Sequence, residues 1–96
     1  MGSWLTERRL AQNAQRLKKL RAELAEIDEQ VGVFRDDAAD SELRALVSET
    51  PGAAVEANDA RKHAGAIERH RQHVRDEIAA LEAKQDVLLD KLTGAN

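Results

Sequence analysis

The chain has 96 residues, 34% of them charged, a net charge of −3, one Phe, one Trp, and neither Tyr nor Cys. So few aromatics exclude a compact mixed core, and the absence of cysteine excludes disulfides and thiolate metal sites. Ala, Leu, Arg, Glu and Asp dominate, the composition of long helices, and the length suits one domain covering residues 1–96.

No apolar run opens the chain between Met1 and Leu10, and nowhere do about eighteen apolar residues stand together. A soluble cytoplasmic protein that stays out of membranes is the expectation. The first helix is predicted over about residues 4–36. Its apolar series is Leu10, Leu17, Leu20, Leu24, Ile27, Val31 and Phe34, with Asn13 in the same series. Steps of three and four make this the a/d seam of a coiled coil, narrower than the stripe of an ordinary globular helix.

Beyond Phe34 the series thins to Ala38, Ser41, Ala45 and Ser48, while Leu43, Leu46 and Val47 fall outside it. Two readings follow. Either the helix runs on and exposes those three residues, or it breaks near residues 37–40 and a short helix over about 41–48 folds them back. Asp36, Asp37, Asp40 and Ser41 supply caps for the second reading, and it leaves less apolar surface in water, so it is preferred.

The only proline lies in Glu49-Thr50-Pro51-Gly52, which predicts a turn at 49–52. Thr50 can cap a helix whose first residue is Pro51. That second helix is predicted over about 52–92 and stops at Thr93-Gly94. Its seam is Ile67, Arg71, Val74, Ile78, Leu81, Gln85, Leu88 and Leu92.

Two seam positions are amides, Asn13 and Gln85. A buried amide without a partner costs about 1–3 kcal/mol, whereas facing amides satisfy each other. Setting Asn13 against Gln85 folds the chain head to tail and pairs Leu17 with Leu81, Leu20 with Ile78, and Leu24 with Val74. The flanks then bring opposite charges together at Arg16 with Glu77, Arg21 with Glu82, Asp28 with Arg75, and Arg35 with Glu68. Arg9 with Lys84 and Asp37 with Glu56 are like-charged. Each exposed pair is worth a few tenths of a kcal/mol, so the charges select a register more than they hold the fold. Arg71, at a seam position, is expected to pack its stem and send its guanidinium out to Glu23 or Asp28.

The fold class is therefore all-α: an antiparallel two-helix coiled-coil hairpin with a short extra helix near the bend. A hairpin buries little surface, so it is expected to dimerise into a four-helix arrangement. The expected dimer face carries Ala11, Ala14, Ala25, Gly32, Gly65, Ala79 and Leu89, small residues for the most part.

Net charge alternates in sign along the chain: +5 over residues 1–21, −9 over 22–59, +4 over 60–75 and −3 over 76–96. The cluster Arg61, Lys62, Arg69, Arg71 and Arg75 offsets the acidic stretch of the first helix. No aromatics interleave with it, which argues against nucleic acid as a ligand. His63, His70 and His73 form a stripe, and His70, His73 and Glu77 are the nearest approach to a metal site. The spacing lacks the His-Glu-x-x-His signature, and a solvated stripe is the ordinary account.

Partner contact is expected at the bend, through Asp36, Asp37, Asp40, Glu42, Leu43, Leu46 and Val47, or at the Trp4 end. In outline the acidic bend resembles the Gre transcript-cleavage factors, whose helical hairpin presents acidic residues to a metal in the RNA polymerase secondary channel. The likeness is one of architecture over about residues 4–92, with no shared motif and without that family's globular second domain. It implies a transcription accessory factor. Nothing in the chain builds a phosphate cradle, a nucleophile elbow or an enclosed pocket, so no enzyme and no cofactor are expected. The function expected from the residues themselves is a non-enzymatic protein–protein interaction module, an adaptor or small regulatory subunit.

Overall fold

A computed structural model describes residues 3–94. It contains two helices, α1 (Ser3–Ser48) and α2 (Pro51–Thr93), and no strand among the described residues. Side-chain pairs between the helices run with opposite polarity, Asn13 to Gln85, Arg21 to Glu82, Asp28 to Arg71 and Arg35 to Glu68, as an antiparallel hairpin requires. None of the described helices is long and apolar enough to cross a membrane.

The chain divides into two compact units. Residues through Leu24 with those from His73 onward form a terminal unit, and Ala25–Gln72 form a turn unit. In the terminal unit the seam buries Leu17, Leu20, Val74, Ile78 and Leu88. Each such side chain contributes about 1.5–3 kcal/mol on leaving water. Asn13, 5% exposed, donates from Nδ2 to Gln85 Oε1 at 2.7 Å and to the Leu81 carbonyl at 2.9 Å. The amide pairing from which the register is expected is present. Flanking it, Arg16 Nη2 donates to Glu77 Oε2 at 2.9 Å, and Arg21 Nη2 lies 3.5 Å from Glu82 Oε2.

In the turn unit Ile27 and Val31 are buried and Phe34 half-buried. Arg35 Nε donates to Glu68 Oε1, the pair the register demands. Asp28 departs from its expected partner Arg75. Its Oδ1 lies 2.7 Å from Nε of Arg71, which reaches outward from its seam position. The contact is Coulombic: Arg71 Nε is enclosed, and the carboxylate is not aligned for a directed hydrogen bond.

The expected break near residues 37–40 does not form, and no separate helix over 41–48 exists. The corresponding residues are the last turns of α1. Residues 36–48 contain no Gly or Pro and several strong helix formers, so breaking the helix would orphan backbone groups that continuing it satisfies. The seam here is built of small side chains, with Ser41 and Ala57 buried and Ala38, Ala45, Ala53 and Ala60 half-buried. Leu43, Leu46 and Val47 lie off this seam and face water.

The turn is short and capped on both sides. Glu49 takes φ 52°, the left-handed conformation that ends many helices, and its N–H donates to the Ala45 carbonyl at 3.1 Å. Thr50 caps α2 as expected: its Oγ1 accepts from the Ala53 N–H at 3.2 Å and its carbonyl from the Ala54 N–H at 3.1 Å. Pro51 then opens α2, where a missing N–H costs nothing. Gly94, at φ 73°, follows the last residue of α2.

Candidate interaction surfaces

With Leu10 counted as heptad position a, the two helices present three outer regions: the b and e positions on one side, c and g on the other, and f outermost. Each candidate residue can be placed on one of them.

Leu43, Leu46 and Val47 are 61%, 71% and 79% exposed. They are joined in the turn unit by Val55, 60% exposed, which the sequence reading passed over. Asp36, Asp37, Asp40 and Glu42 are all exposed, as is Trp4 in the terminal unit. The acids do not act as one cluster. Asp37 and Asp40 line a hollow of about 400 Å³ together with Glu56 and Asp59 from α2, whereas Asp36 and Glu42 lie outside it. Phe34, Ser41, Ala60, His63 and Arg44 complete its walls. Arg44 donates from Nη2 to Ser41 Oγ at 3.2 Å, and among the described residues none of the four lining carboxylates forms an ion pair.

A second hollow of about 430 Å³ shares Phe34 and His63 with the first and is otherwise lined by Ala66, Ile67 and His70. His63 meets Phe34 edge-on, with ring centroids 6.4 Å apart and planes at 69°. Both hollows open on the c/g side. Small residues are among their walls, Ser41 and Ala60 from the seam and Ala66 from beside it.

The terminal unit has a hollow of opposite character. About 220 Å³ in volume, it is lined by Arg9, Gln12, Asn13, Arg16, Leu81 and Lys84. Arg9 and Lys84 are the like-charged layer that the register forces, and neither forms an ion pair among the described residues.

On the b/e side, Ala11, Ala14, Ala25, Gly32, Ala79 and Leu89 are exposed and Gly65 is half-buried. A Cβ added at Gly32 would meet nothing within 4 Å, and one at Gly65 only the flexible end of Arg69 at 3.3 Å. The register-setting residues Asn13, Gln85 and Arg71 serve packing and pairing, as described above. His73 Nε2 lies 3.8 Å from Glu77 Oε1, and Glu77 is also held by Arg16. Among the described residues, no three His, Asp or Glu side chains converge closely enough to hold a metal ion.

No protein-family model matches the chain, and neither does any curated protein or solved structure. Function is therefore argued from these surfaces.

Proposed function

We propose that the chain is a non-enzymatic protein–protein interaction module, an adaptor or small regulatory subunit of the cytoplasm. It pairs with a second copy in a four-helix arrangement and docks another protein at its bend. The observation that carries this reading is the group Leu43, Leu46, Val47 and Val55. Four large apolar side chains, each at least 60% exposed, lie within thirteen residues of one another, among seven carboxylates and one arginine over residues 36–59. Exposed apolar groups rimmed by charge are the usual composition of a docking surface: burial supplies the affinity, and the charges steer the encounter.

The test is affinity capture from native cytoplasm with the wild-type chain and Leu46→Glu side by side. A partner retained by the first and lost by the second, with helicity equal by circular dichroism, supports the bend as contact surface. Unchanged capture rejects it. A second reading, a transcription accessory factor, draws support from the four carboxylates gathered in one hollow near the turn. Recovery of RNA polymerase as the retained protein selects that reading.

A further inference from the structure

We propose that the outer face of α1 in the turn unit docks a basic amphipathic helix of another protein. This rests on the reading of the chain as an interaction module and names the chemistry of its partner.

Within the turn unit α1 carries two apolar stripes. The first is the seam, with Ile27, Val31 and Phe34. The second lies on the opposite side. From Ala39, Leu43 is four residues on, and Leu46 and Val47 are three and four beyond that. Residues at those spacings are neighbours on one side of a helix. All four are exposed, as is Val33, which stands on the same side two turns before Asp40. From Val33 to Val47 the stripe runs about 21 Å, roughly four turns. In the single chain water covers these side chains, and they add nothing to the stability of the hairpin. Ridges spaced by three and four residues seat the ridges of another helix. No strand edge exists among the described residues to take up an extended segment.

Charge fixes the sign of the occupant. Asp36 and Asp40 lie within the stripe, and Asp37 and Glu42 on its two flanks. All four are exposed, and none forms an ion pair among the described residues. Arg44 is the only cation over residues 36–59, and its Nη2 is already turned to Ser41 Oγ. Lys or Arg side chains bordering an apolar partner face would meet these carboxylates and speed the encounter. Phosphate-bearing surfaces, whether nucleic acid or anionic lipid, are repelled by the same charge.

A second copy does not supply such a helix. Trp4 and Leu5, one turn of helix, are the only large apolar residues exposed beside the cations from Arg8 to Lys19, and no other is exposed before Val33. Along α2 the cations from Arg61 to Arg75 fall between Val55 and Val87, with no large apolar residue exposed in the interval. Val87 and Leu89 adjoin the acids Asp86 and Asp90. The partner is therefore another protein.

The experiment selects from a phage-displayed library of random peptides, each of about eighteen residues and unbiased in charge, against the immobilised full chain. Enriched peptides are expected to be rich in Lys and Arg, with large apolar residues at helical spacing, and to gain helicity on binding. Their affinity for the full chain, read by fluorescence anisotropy, should fall at least about tenfold with Leu43→Ala/Leu46→Ala and by a similar factor with Asp36→Lys/Asp40→Lys. Circular dichroism checks that both variants keep the helicity of the wild type. Peptides that are neutral or acidic yet still need Leu43 and Leu46 overturn the proposal and leave the bend as a docking surface. Peptides indifferent to both leucine changes reject the bend as well. An absence of enrichment overturns the proposal, while capture of a cytoplasmic protein through Leu46 would keep the interaction-module reading. Self-association that Leu43→Ala/Leu46→Ala abolishes in sedimentation overturns it in favour of a second copy on this face.

Discussion

The terminal unit and the turn unit use the same heptad frame to opposite ends. In the terminal unit large residues fill the seam, a buried amide finds an amide, and ion pairs close the flanks. Approaching the turn the pattern inverts: the seam carries Ala, Ser and Ala, while Leu43, Leu46, Val47 and Val55 stand in water among acids. The first arrangement makes a fold stable and fixes its register. The second keeps the helices paired with little apolar burial and leaves its large side chains for something else to cover. One hairpin thus buries its large apolar residues in one stretch and exposes them in another, and the change shows in which heptad positions carry them.

The largest effect that should break this contrast comes from Leu20, 2% exposed, against Leu46, 71% exposed. Leu20→Ala is expected to cost about 3 kcal/mol in urea denaturation, because it removes buried methyl groups and leaves a cavity. Leu46→Ala should stay within about 0.5 kcal/mol, as substitutions on an exposed face do. Comparable losses at both positions would mean that the bend buries its apolar residues and that the inversion is not real.

Next in size is the amide layer. Asn13→Ala strands Gln85 in the seam and should cost about 1–2 kcal/mol. The double change Asn13→Leu/Gln85→Leu should recover that loss or exceed it, since paired apolar residues replace a paired polar one. Register fidelity is the expected loss, seen as a second population of distances between spin labels on α1 and α2. A single sharp distance in the double variant would show that the flanking charges suffice to set the alignment.

Much of this architecture was legible in the sequence, for physical reasons that can be named. A buried amide demands a partner, and only Gln85 answers Asn13 across a hairpin. Thr50-Pro51 reads as a cap and first turn because the missing proline N–H is harmless only there. The fate of residues 37–48 was not legible: the aspartates that could cap a new helix also sit comfortably within a continuing one. Asp28 had two expected partners, Arg75 by heptad geometry and Arg71 reaching out from the seam, and the second pairing forms. The hollows are not legible because small residues, Ser41 and Ala60 of the seam and Ala66 beside it, are among their walls, and apolar periodicity registers what is large. The like-charged layers were the one visible sign of them.

The smallest effects sharpen the contrast. Glu49 holds a left-handed conformation that a Cβ disfavours by about 1–2 kcal/mol, so Glu49→Gly should raise stability by up to about 1 kcal/mol once the entropy of glycine is set against it. Gly32→Ala should gain a similar amount, about 1 kcal/mol, because a methyl there enters open space and alanine favours helix. Thermal melts measure both. Gly32 carries the more informative test, since it lies on the small-residue side of the turn unit. If a second copy packed there, a methyl would obstruct the approach and weaken association even as the helix gained stability. A stabilised variant that associates as the wild type does in sedimentation leaves the side of Gly32 out of any pairing. One that melts higher but associates less assigns pairing to that side.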